Sequence, residues 1–105
     1  MTALKKNDCK QQLRDQCKHI AETISTPLED VHEWMNDVYD IEWITFNDHK
    51  YKAARLMVAG GGPNIWVNTQ DGTVDGYWGT DKVHWGYVDN IGLDDYLEEL
   101  HASSK

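Results

Sequence analysis

The chain has no apolar run near the roughly 20 residues that cross a bilayer, so no membrane span is expected. Behind Met1-Thr2-Ala3-Leu4-Lys5-Lys6 no apolar stretch follows the positive charge. That argues against a secretory signal and predicts a cytoplasmic protein. Cysteine is scarce, with only Cys9 and Cys17. Eight residues of helix would hold them about 12 Å apart, beyond the roughly 7 Å that a disulfide tolerates. Free core thiols in a reducing compartment are expected, with a disulfide-linked dimer as the alternative.

Basic residues are missing over one long stretch. From Pro27 to His49 there is no Lys or Arg, against seven acids: Glu29, Asp30, Glu33, Asp37, Asp40, Glu42 and Asp48. Residues 1–26 carry five basic and three acidic side chains, a balance of +2, whereas residues 27–105 carry five and fifteen, a balance of −10. Such a surface repels nucleic acid and anionic membrane and attracts basic proteins, although acidity also serves solubility. Neither direct nucleic-acid binding nor membrane binding is expected.

What is present is enough for one domain with one core: 105 residues, five tryptophans and five tyrosines. Cys9, Leu13, Cys17, Ile20 and Ile24 form one apolar stripe, which predicts a helix over residues 8–24. Thr26-Pro27-Leu28-Glu29 reads as a capping box with proline at the first helical position. It predicts a second helix that buries Leu28, Val31, Met35 and Val38 and ends near Tyr39. Beyond Asp40 the pattern becomes β-branched and aromatic. Segments 41–46, 51–59, 64–68, 73–78 and 83–88, separated by Asp/Gly turns, predict an antiparallel meander of about five strands. Leu93, Tyr96, Leu97 and Leu100 predict a closing helix, with Asp94 and Asp95 in its first turn. The expected fold is α+β: two N-terminal helices, the meander and a C-terminal helix, with the helices on one face of the sheet.

Alternation places Ile65, Val67, Val74, Trp78, Val83, Trp85 and Tyr87 under the helices. Asn64, Trp66, Asn68, Thr73, Asp75, Tyr77 and His84 are left on the other face. A polar face with a tryptophan and a tyrosine suits recognition. Packing against the N-terminal helices, or against a second copy in a homodimer, is the competing use. On the second predicted helix, Glu29, Glu33 and Asp37 recur every four residues and would form an exposed acidic ridge. The candidate binding residues are therefore Glu29, Glu33, Asp37, Trp66, Asp75, Tyr77 and His84.

Other chemistries find little support. Gly60-Gly61-Gly62-Pro63 lacks the following helix and the lysine of a phosphate cradle, and reads as a wide turn. The pairs Glu29/His32 and Glu98/His101 have di-iron spacing, but the two further helices with glutamates that such a site needs are lacking. No metal or cofactor is expected. Core thiols are inert, and an acid/base pair such as Asp75 and His84 is common on an acidic sheet, so an enzyme is not the leading reading. A helix-turn-helix would drive Glu29, Asp30, Glu33 and Asp37 against phosphates.

The stretch Gly61-Gly62-Pro63-Asn64-Ile65-Trp66-Val67, followed by Gly72-Thr73-Val74-Asp75-Gly76-Tyr77-Trp78-Gly79, resembles a pattern in small acidic proteins of phages and mobile elements. It spans about a fifth of the chain. The resemblance implies an inhibitor of the anti-restriction or anti-CRISPR kind, which blocks a basic nucleic-acid-binding site. An immunity protein for a basic nuclease toxin is the close alternative. A small ligand-binding domain or enzyme built on the face around Trp66, Asp75, Tyr77 and His84 is the distant one.

Overall fold

A computed structural model describes residues 5–27 and 30–103, with side chains described from Lys10 onward. Helix α1, Lys5–Ser25, buries Leu13, Cys17 and Ile24 of the expected stripe and Ala21 beside them, while Ile20 is half-buried. The side chain of Cys9, the other thiol expected in that stripe, lies outside the described residues.

The segment after α1 departs from expectation. Thr26 closes the first helix instead of opening the second: its hydroxyl donates to the Glu22 carbonyl at 2.7 Å. Asp30 is the N-cap of α2, Val31–Trp34, with its carboxylate accepting the His32 N–H at 2.9 Å. α2 lasts only four residues and tightens into a 3-10 turn at Met35–Asp37. Hence one full helix, not two, precedes the strands. The sheet explains why. Val38 is extended and Tyr39 donates its N–H to the Met57 carbonyl at 2.8 Å, so strand pairing draws these residues out of the helix. Leu28 and Glu29, which complete the expected capping box, lie outside the described residues.

Five antiparallel strands follow in sequence order: β1 Asp40–Thr45, β2 Tyr51–Ala59, β3 Asn64–Asn68, β4 Thr73–Trp78 and β5 Asp81–Gly86. The middle three have the bounds the sequence predicts. β5 begins two residues early because Trp78 pairs with Asp81, leaving only Gly79-Thr80 in the turn. Gly79 takes φ 61° there, a left-handed conformation that glycine adopts without strain. Helix α3, Leu93–Ser103, is capped by Asp89, whose two carboxylate oxygens accept the N–H groups of Leu93 and Asp94 at 2.8 and 2.9 Å.

All the packing helices lie on one face. α1 crosses β4 and β5, and α3 crosses β2. Ile65, Val67, Val74 and Val83 are buried beneath them, and Trp78, Trp85 and Tyr87 pack half-buried at the margin, as alternation requires. α1 approaches closely at Gly76, where a Cβ would stand 2.6 Å from Cys17 Sγ and 2.8 Å from Leu13 Cδ1. α3 is tied down by the Tyr51 hydroxyl, which donates to Asp94 at 2.6 Å. Among the described residues no helix is long and apolar enough to cross a membrane.

Candidate functional site

The face opposite the helices carries a connected row of side chains running across all five strands. Register builds it: Glu42 of β1 stands beside Arg55 of β2, Met57 beside Trp66 of β3, Trp66 beside Asp75 of β4, and Asp75 beside His84 of β5. Because strand side chains alternate, these residues share the face that Leu56, Val67, Val74 and Val83 leave.

The row is joined by named interactions. Arg55 Nη1 donates to Glu42 Oε1 at 2.7 Å, while its guanidinium lies 4.5 Å from the centre of the Trp66 ring. That geometry gives a cation–π contact whose cation is already held by a carboxylate. On the other flank, His84 Nδ1 lies 2.8 Å from Asp75 Oδ1. A carboxylate accepts, so Nδ1–H donates and Nε2 is left for other partners. The Tyr77 ring meets the His84 ring edge-on, with centroids 6.3 Å apart.

Burial is uneven along the row. Asp75 is only 6% exposed, although it lies on the side away from the helices. The His84 side chain, by contrast, is 58% exposed. A buried acceptor holding an exposed imidazole fixes the ring's orientation and presents its outer nitrogen to whatever docks there. Electrostatics also reach through the sheet. The Cys17 thiol, under the opposite face, is pushed up to about 11 by burial and, secondarily, by the Asp75 charge.

Four of the sequence candidates, Trp66, Asp75, Tyr77 and His84, are thus brought together. Glu33 and Asp37 are not. They sit in α2 and the turn after it, on the helical side of the sheet. The break from α-helix to 3-10 turn between them removes the four-residue ridge expected there, because a 3-10 turn eclipses every third residue instead. Glu29 lies outside the described residues. Sequence reading missed Arg55 and Met57 and did not place Glu42 on this face. Alternation within β2 was available as a signal, but the register that sets Arg55 between Glu42 and Trp66 is not written in any one strand.

The histidines of the two Glu-x-x-His pairs have aromatic neighbours. His32 meets Tyr96 edge-on at 5.0 Å, and His101 stands 5.1 Å from Trp43. Among the described residues, no three His, Cys, Asp or Glu side chains are grouped to hold a metal ion. No protein-family model, curated protein or solved structure matches this chain.

Proposed function

We propose that the protein is a non-catalytic binding protein of the cytoplasm that occupies a basic surface on a nucleic-acid-handling defence enzyme. The single observation that carries this reading is the sheet face away from the helices, with Trp66, Tyr77, Arg55 and His84 on a rigid strand framework. Aromatic and arginine side chains of that kind anchor protein interfaces, because they bury much area for little lost rotamer freedom. The balance of −10 beyond residue 26 selects for a basic partner. α3 adds four exposed acids, Asp94, Asp95, Glu98 and Glu99. The resemblance to anti-restriction and anti-CRISPR proteins supplies the class of enzyme.

The test is inhibition of purified nucleases by the purified protein. A restriction enzyme and a CRISPR effector form one arm, and a basic nuclease toxin the other. Inhibition in the first arm supports the proposal. Inhibition confined to the toxin arm moves the reading to an immunity protein. Unchanged cleavage in both arms at saturating protein overturns it. Trp66→Ala should raise the concentration needed by roughly 30-fold, the loss of one interface anchor of about 2 kcal/mol. Self-association through the same face would appear as a dimer in sedimentation that Trp66→Ala dissolves.

A second reading has one specific observation behind it, the buried Asp75 orienting the exposed His84. The same pairing activates a general base in hydrolytic sites. A small-molecule ligand on this face would move the His84 ring resonances, and Asp75→Asn would weaken it.

A further inference from the structure

The helical layer does not cover its face of the sheet completely. α1 lies over β4 and β5 and α3 over β2, which leaves a furrow at the end of β2. Ile20 and His19 of α1 form one wall, and Trp34, Asp37 and Tyr39 form the other. The cavity measures about 740 Å³, within the range of roughly 300–1,000 Å³ typical of ligand sites. It continues into a smaller cavity of about 390 Å³ whose lining includes Val58, Ala59 and Ile65, with His19, Ile20 and Val58 common to both.

A β-bulge makes the floor apolar. Met57 pairs with Trp66, but Ala59 pairs with Ile65, so Val58 has no partner across the ladder. In a regular strand only one of Val58 and Ala59 would face this side; both line the furrow. The rim is of the opposite character. Asp15, Glu33 and Asp37 stand on it exposed, and among the described residues no Lys or Arg lines either cavity. Tyr39 completes it, 70% exposed.

An occupant must satisfy both parts. An anion is repelled by the rim, a neutral apolar molecule gains nothing from its carboxylates, and a bare polyamine leaves the floor unfilled. We infer that the furrow is a second docking site, which takes a basic peptide segment whose aliphatic side chain is flanked by lysines or arginines. The aliphatic group lies on Ile20, Val58 and Ala59, and the flanking cations meet Glu33, Asp37 and Asp15. The inference rests on the reading of the partner as basic, and it gives Glu33 and Asp37 a role distinct from that of the sheet face.

The test uses the full chain, labelled with 15N, and a capped pentapeptide with leucine between two pairs of lysines. Saturable shifts are expected at the amides of Ile20, Tyr39 and Val58, with those of Arg55, Trp66 and Asp75 still. Replacing the central leucine by serine, or the lysines by glutamates, should remove them. Glu33→Gln with Asp37→Asn, both exposed positions, should weaken binding about tenfold at low salt, and Tyr39→Ala should weaken it with the fold intact. Absence of saturable shifts up to about 5 mM peptide, shifts confined to the sheet face, or unchanged affinity in the double variant would each overturn the inference. The probe contains no nuclease, so a negative nuclease assay leaves this result standing. Loss of peptide binding likewise leaves inhibition through Trp66 standing.

Discussion

The two faces of the sheet are built from the same strands and hold together in different ways. On the covered face the contacts are apolar and tight, with Leu13 and Cys17 pressed onto Gly76 and Ile65, Val67 and Val74 wholly buried. On the open face the contacts are polar or aromatic pairs, Glu42 with Arg55, Arg55 with Trp66, and Asp75 with His84. Apolar burial contributes about 1.5–3 kcal/mol per large side chain, whereas a partly exposed ion pair or cation–π pair contributes tenths to about 1 kcal/mol. The covered face therefore sustains the fold. The open face adds polar and aromatic pairs, each of smaller effect, around the half-buried Trp66 and the buried Asp75.

The covered face is most easily disrupted at Gly76. Replacing it with Ala drives a Cβ to 2.6 Å from Cys17 Sγ and 2.8 Å from Leu13 Cδ1, both in the packed interior. α1 must lift from β4. The expected cost is about 2–3 kcal/mol, read from the urea midpoint. A midpoint within experimental error of wild type would mean that α1 does not sit against β4.

Alkaline pH should act on the same face. The Cys17 thiol is raised from 9.0 to about 11, first by burial and then by Asp75. Tyr51 and Tyr87 are also pushed up, chiefly by burial. In each case the fold favours the neutral form over the anion. Their stabilising contribution is complete below the unfolded value, which is 9.0 for the thiol, and is lost as pH rises through the folded one. Stability should be level at pH 8 and decline from pH 9 towards 11. In the native state Cys17 should react with a thiol reagent only as fast as the protein opens. Rapid native labelling of Cys17 would contradict its place in the core.

Much of the covered face was legible in the sequence, because burial imposes a period. The spacing of Leu13, Cys17 and Ile24 fixed the inner side of α1, and alternation in β3, β4 and β5 separated Val67 and Val74 from Trp66 and Asp75. Between residues 26 and 39 the local sequence misleads, because the deciding contact is distant. Thr26 and Asp30 are both good N-caps, and the choice between them depends on where Tyr39 must reach Met57 in the sheet. Composition around Pro27 carries no trace of that long-range demand. The open face was half legible: alternation grouped Trp66, Asp75, Tyr77 and His84, but Arg55 joins them only through pairing register. The bulge at Val58 left no sequence signal at all.

The Asp30 cap of α2 gives the next effect in size. Asp30→Ala removes the acceptor for the His32 N–H, and Thr26→Ala removes only a hydroxyl that donates to an α1 carbonyl. The first should cost about 1 kcal/mol and the second clearly less. Equal losses, or the reverse order, would return the start of α2 to Thr26.

The smallest expected effect lies on the open face and tests the comparison most directly. Arg55 is shared between Glu42 and the ring of Trp66, and its side chain is 32% exposed. A cation above a tryptophan at such a site contributes about 0.5–1 kcal/mol. Trp66→Ala and Arg55→Ala should each lower stability by about 1 kcal/mol or less. The double variant should lose less than the sum of the two, by a coupling of about 0.5 kcal/mol. Urea midpoints of the four proteins give that coupling, and inhibition assays on the same four give its counterpart in binding. If the open face is kept for a partner, Trp66→Ala impairs inhibition far more than stability, so the two measurements separate. Should Trp66→Ala instead cost as much stability as Gly76→Ala, Trp66 belongs to the core and the division between the faces fails.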